Sequence, residues 1–128
     1  MQAEFTAAKM PALWLLTPWT YEGVELPAGT VDNLTIFSLP FDHPDHPVLS
    51  RRAMHYRDAF GEYSLPRLKA RLFRILRTFT RHATENAKVQ VCDDRLRTKK
   101  YGKEVRSYLE QYGADTGEEV KVEQMKLL

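Results

Sequence analysis

The sequence predicts an α/β domain with a small, mainly parallel sheet flanked by helices. Two observations carry that expectation. Three short apolar runs, at 11–17, 33–39 and 88–92, have the length and composition of strands buried in a sheet. Around them lie segments of helical period, the strongest being LPRLKARLFRILRTFTRH at 65–82. At about 100° per residue its Leu68, Leu72, Ile75, Leu76 and Phe79 fall on one arc. Arg67, Arg71, Arg74, Arg77 and Arg81 fall on the opposite arc. Apolar strands alternating with amphipathic helices imply parallel pairing, because parallel neighbours need a crossover between them.

Residues 1–10 are weakly patterned and read as a lead-in, frayed or briefly helical. The domain proper spans 11–112. Its first strand, 11–17, lies between Pro11 and Pro18 and is apolar enough to be buried on both faces. The stretch 19–27 follows, closed by a turn at Ala28-Gly29. A second strand, 33–39, ends at Pro40. Residues 41–47, FDHPDHP, form a loop stiffened by prolines. Its two Asp-His pairs have no third ligand cluster beside them, so no metal site is expected. From Pro47 to about Phe60 the chain, with VLSRRAMHYRDAF, reads as a helix that Gly61 can end. The helix 65–82 starts with Pro66, where a first turn tolerates the missing N–H. A turn at 83–87, the strand 88–92 and a loop at 93–97 come next. The last helix, 99–112, puts Val105, Tyr108, Leu109 and Tyr112 on one face and stops at Gly113. Residues 113–128 form a polar tail, whose VKVEQMKLL (120–128) fits either a strand or a partner-bound helix. Three strands make a small sheet with open edges, as in a fragment or a chain completed by a partner.

The 128 residues are 43% hydrophobic and 28% charged, an ordinary balance for a soluble globular domain. The net charge of +2 conceals an uneven distribution. Residues 65–103 hold twelve Lys/Arg and three acids, a surplus of +9 against −7 elsewhere. Such a block suggests a polyanionic partner, or a solvated face. Like charges three or four apart on a helix repel by a few tenths of a kcal/mol, so five arginines on one face suggest an anionic counterpart. Arg67 and Arg71 are candidates for nucleic-acid phosphates, with Trp19 and Tyr21 as base-stacking residues; Trp14 reads as core. The single Cys92, in an apolar strand, excludes an internal disulfide and reads as an inert thiol. No signal pattern and no apolar run near ~18 residues occurs, which predicts a cytoplasmic protein without membrane contact. His55 and His82 stand alone and no serine sits in a glycine elbow, so independent catalysis is not expected.

Three segments then line up in order. The first is Thr20-Tyr21-Glu22-Gly23-Val24-Glu25-Leu26-Pro27. The second is Ile36-Phe37-Ser38-Leu39-Pro40-Phe41, followed by Pro44 and Pro47. The third runs from Leu65-Pro66 through Arg81, then Lys88-Val89-Gln90-Val91-Cys92-Asp93-Asp94-Arg95-Leu96 and Lys99-Lys100-Tyr101-Gly102. Over residues 10–109 this set resembles the second motor domain of the DinG/XPD-like branch of superfamily 2 DNA helicases. The segments stand for its fifth motif (F-W-E-G-V-D-x-P), its L-P-F strand exit, and its sixth motif (Q-G-x-G-R-x-x-R) with the D-x-R and K-x-Y-G that follow. The resemblance implies a partial RecA-like domain and a nucleotide site shared with a first motor domain. Glu22, Gly23 and Glu25 hold fifth-motif positions, Glu25 standing where Asp is usual. In the sixth motif Arg74 replaces the glutamine, Ile75 and Arg77 replace glycines, and Thr78 holds the first arginine position. Only Arg81 matches.

What the resemblance implies is a set of roles. Arg81 and Arg77 become catalytic charge-stabilising candidates, and Glu22, Gly23, Glu25, Arg74 and Thr78 become nucleotide-binding candidates. No G-x-x-x-x-G-K-[ST] loop and no D-E-x-H-like acidic motif occurs, nor the four-cysteine iron–sulfur set of the family's first half. ATP and Mg²⁺ are therefore expected only when a first motor domain is present. The resemblance leads to the distal part of a second helicase motor domain, inert alone, acting on single-stranded DNA. The alternative is a non-catalytic helicase-like remnant that binds nucleic acid or docks on a protein.

Overall fold

The structure, a computed structural model, describes residues 2–7 and 12–117. In chain order its elements are α1 (Gln2–Ala7), α2 (Pro18–Tyr21), β1 (Val31–Ile36), α3 (Pro47–Ala53), a π-helical turn (Phe60–Ser64), α4 (Leu65–His82), β2 (Ala83–Val91), α5 (Arg95–Thr98) and α6 (Gly102–Gln111). β1 and β2 pair in parallel, with α4 in the crossover between them. The expected α/β layer with parallel pairing is what the chain forms. Register runs from Asn33 opposite Lys88 to Ile36 opposite Val91, with Val31 opposite Ala83. Between those pairs two steps along β1 match five along β2, so residues 84–87 bulge. The turn predicted at 83–87 is this bulge inside a longer strand. Beyond β2, Val91 N–H donates to Asp115 O at 2.9 Å and Asp115 N–H donates to Val89 O at 2.8 Å. Ala114 and Thr116 are buried, so packed structure continues past residue 112, into the stretch read as a tail. Residues 118–128, with the undecided 120–128, lie outside the described residues.

The apolar arc of α4 is the centre of the core. Leu68, Leu72, Ile75, Leu76 and Phe79 are buried together with Ile36, Val91, Leu39, Leu96, Val105 and Leu109. Each fully buried side chain of this size contributes about 1.5–3 kcal/mol. This burial, more than helix propensity, fixes α4 in place.

Three expected elements change. Residues 12–17 are extended but form no strand; Trp14 and Leu16 pack on the core, while Leu13 and Leu15 stand 84% and 71% exposed. The core covers only one side of the segment, so burial on both faces is not realised; Pro11 lies outside the described residues. The helix expected from Pro47 to about Phe60 shrinks to α3, which keeps the expected start and buries none of its residues. Without an apolar face, nothing offsets the cost of ordering a further turn. Gly61 does not end that helix. It sits in the π-helical turn, where Leu65 N–H reaches back to Phe60 O. In a regular helix Pro66 would press its ring on the carbonyl four residues back; the wider turn leads into α4 ahead of it. Lastly, the helix expected at 99–112 shortens to α6, and the loop expected at 93–97 winds into the single turn α5, with a corner between the two. A Cβ on Gly102 would lie 2.2 Å from Leu96 O, so only glycine fits there.

Candidate functional site

The sequence left open what the arginine front of α4 faces, and the structure divides that front in two. The N-terminal half meets acids of the same chain. Arg67 donates to Asp42 through Nε at 2.5 Å and Nη2 at 3.4 Å. Arg71 pairs with Glu22 at 3.2 Å and with Asp42 at 3.7 Å, and its guanidinium lies 5.2 Å from the centre of the Trp19 ring. Arg74 reaches the same Glu22 oxygen at 3.5 Å. Arg71 is 8% exposed, so it works as an internal tie. The bond from Arg67 holds the Asp42 carboxyl below the usual carboxylate range. In the C-terminal half, Arg77 and Arg81 are exposed, and neither has an ion pair among the described residues.

Two short loops make this network possible. Thr17 caps α2, its hydroxyl accepting from Thr20 N–H at 3.2 Å, and Glu22 follows on the last turn. Asp42 is placed by a staple between the exits of the two strands. Asp93 accepts from Leu39 N–H at 2.7 Å and from Arg95 N–H at 2.9 Å. The Arg95 side chain binds Asp93 at 2.6 Å, Leu39 O at 3.3 Å and Ser38 Oγ at 3.2 Å, and lies over Phe41. Burial would raise the Asp93 carboxyl, but the bonds from Arg95 and Leu39 outweigh it and hold it low. The D-x-R sequence is therefore structural, fixing the Leu39-Pro40-Phe41 exit and with it Asp42.

A second stripe of α4, Arg71, Thr78 and His82, turns inward and is buried. His82 Nε2 lies 2.8 Å from the buried Tyr21 hydroxyl, and their rings meet edge to face. Burial lowers the imidazole's pKa and raises that of the phenol. Tyr21 is thus a core residue, not a base-stacking one, and Trp19 keeps 54% exposure with one guanidinium against its ring. Arg67 and Arg71, expected on nucleic acid, are committed to Asp42 and Glu22. Thr78, expected at a nucleotide, lies on the buried stripe three residues after Ile75. Gly23 and Glu25 are exposed, and a Cβ on Gly23 would meet only Thr20 O, at 3.7 Å. Among the described residues no three His, Cys, Asp or Glu side chains gather as metal ligands, and no helix is long and apolar enough to cross a membrane.

Asp42 and His82 are the members of this site that sequence reasoning passed over. His82 had a signal: it lies three residues after Phe79 and four after Thr78, continuing the inward side of the helix. Asp42 had no signal that pointed to Arg67, only its place in an Asp-His pair of a loop stiffened by prolines.

A family model described as the helicase C-terminal domain matches residues 3–112. The chain belongs to the helicase C-terminal domain family. The ATP-dependent DNA helicase YoaA of Escherichia coli (strain K12) is 33% identical over 95 residues, covering 71% of this chain and 15% of that protein. This helicase C-terminal domain therefore spans a small share of the length of its curated relative. No solved structure matches it. In this helicase C-terminal domain the segments that resemble the fifth and sixth motifs are joined physically, by Tyr21 to His82 and by Glu22 to Arg71 and Arg74. The acids facing the arginines come from within it, at Glu22 and Asp42.

Proposed function

We propose that this chain is the distal part of the second motor domain of an ATP-dependent DNA helicase of the DinG/XPD-like branch of superfamily 2. It carries Arg77 and Arg81 to a nucleotide held by a first motor domain, and single-stranded DNA is the substrate of the assembled, cytoplasmic enzyme. One observation carries this reading: of the five front arginines, Arg77 and Arg81 alone are free of the Glu22–Asp42 network.

Bound ATP and Mg²⁺ would supply the phosphoryl group and its counter-charge. The residues of this chain fit only the arginine half of such a site. Arg77 and Arg81, four residues apart, lie about 6 Å from one another along the helix axis. Guanidinium groups held on a rigid helix stabilise charge that builds on a transferring phosphoryl group. The packing of α4 on the core fixes their direction. Arg74 and Glu22 neutralise one another, and Thr78 faces inward, so these two positions brace the helix instead of touching a ligand. With no phosphate loop, the chain does not turn over nucleotide alone.

A second reading has its own support. Ile75 and Thr78 are buried where the sixth motif has a glycine and an arginine, which favours a remnant that keeps the fold without the ATPase. Combining this chain with its first motor domain separates the two. Hydrolysis of ATP stimulated by single-stranded DNA is expected only when both parts are present. Equal rates with and without this chain would reject the motor reading in favour of the remnant.

A further inference from the structure

The structure places a second basic region away from the α4 front. Residues 46–57 contain Arg51, Arg52 and Arg57 and no acid. All three are exposed, and none has an ion pair among the described residues. The nearest acids that follow are turned onto the loop's own backbone. Asp58 accepts from Gly61 N–H at 3.1 Å, and Glu62 accepts from Asp58 N–H at 3.4 Å. Arg51 and Arg52, with Pro47, Val48 and His55, line a shallow open depression of about 420 Å³.

Beside this charge stands a built aromatic stack. Tyr56, 43% exposed, lies on Tyr63 with ring centres 5.2 Å apart and planes 25° from parallel. Tyr63 in turn lies 5.4 Å below the Arg67 guanidinium, which Asp42 holds. The outermost ring is therefore backed by an ordered column that ends in a partly buried ion pair. An exposed ring on such a backing loses little freedom when a flat ligand stacks on it.

We infer that residues 51–63 form a contact surface for single-stranded nucleic acid, with Tyr56 receiving a base and Arg51, Arg52 and Arg57 receiving phosphates. Exposed guanidinium groups beside an exposed ring suit a strand whose bases are free to stack; a duplex offers phosphates without free base faces. An acidic peptide would use the arginines and leave the ring unused. The inference goes beyond the proposed function and shares with it only the class of ligand. It needs neither nucleotide nor a first motor domain, so the two can fail separately.

The test is fluorescence anisotropy of the full chain with a labelled oligothymidylate, in about 50 and 200 mM salt. Three phosphate contacts weaken single-strand binding by roughly 20-fold between those concentrations. The triple variant R51Q/R52Q/R57Q is expected to bind more weakly and to lose that part of the salt dependence. Y56A is expected to weaken binding by about 5- to 150-fold with the salt dependence intact, Y56W to restore it, and an abasic strand to ignore both changes. The thermal transition of each variant, expected to be unchanged, shows that it is folded. The inference is overturned if wild type does not bind at low salt, or if the triple variant keeps its salt dependence. Equal binding of Y56A and wild type to oligothymidylate also overturns it, as does equal competition by polyglutamate against both, the mark of a protein partner.

Discussion

Replacing Arg71 by Met keeps most of the side-chain volume and deletes the charge that ties Glu22 to Asp42. The Arg71 side chain is 10% exposed, against 28% for Glu22 and 19% for Asp42. Removing one member of a buried pair typically costs about 3–5 kcal/mol, because the other charge stays behind unpaired. Here the loss is smaller, since both acids keep another arginine, Arg74 for Glu22 and Arg67 for Asp42, and both reach solvent. The contact with Trp19 adds about 0.5–1 kcal/mol. The expected cost is about 2–3 kcal/mol, which at roughly 4 °C per kcal/mol lowers the melting midpoint by about 8–12 °C. The assay is calorimetric or urea unfolding of R71M beside R77M. Arg77 is exposed and has no ion pair among the described residues, so R77M is expected to leave the midpoint where it is. Equal destabilisation by the two variants, or none by R71M, would refute the division of the arginine front into a structural and a free half.

Four further outcomes follow from the geometry. His82 stays neutral in the fold because burial lowers its pKa, whereas the unfolded chain takes up a proton near pH 6.5. Stability therefore declines as pH falls below about 6.5, and H82Q should flatten that decline in urea midpoints measured from neutral to mildly acidic pH. Asp42 and Asp93, both lowered in the fold, give stability that persists above the ordinary carboxylate range and is lost only in stronger acid. D93A unfastens the strand-exit staple, costs about 3 kcal/mol, and should speed hydrogen exchange at the Leu39 amide. G102A drives a Cβ into the Leu96 carbonyl, 2.2 Å away, and should cost at least about 3 kcal/mol in denaturant melts.

The parts of the fold legible in the sequence are those written as local periodicity. The bounds 65–82 for α4 follow from its two arcs, and Gly113, with φ +81°, ends α6 where a helix stop was expected. β1 and the second half of β2 follow from their apolar runs. The bulge at 84–87 looked like a turn because its Glu85 and Asn86 are exposed and polar. What stayed illegible depends on partners distant along the chain. Arg71 and Glu22 are 49 residues apart, and Arg67 and Asp42 are 25 apart, so no spacing rule connects them. The five arginines therefore looked equivalent, and only folding separates Arg77 and Arg81 from the rest. Tyr21 looked like a surface ring until its hydroxyl met His82. The strand expected at 11–17 failed for a related reason: an apolar run gives its own character but not whether a second face is covered.

In the proposed motor domain Arg77 and Arg81 are the working residues of α4, while Arg71 and Arg74 hold it in place. ATP hydrolysis stimulated by single-stranded DNA, with the first motor domain present, tests it most directly. Replacing Arg77 and Arg81 together by Ala should lower the rate by about 10³-fold or more with the fold intact, and replacing Arg74 alone should change it little. A double variant that hydrolyses ATP at the wild-type rate would contradict the claim.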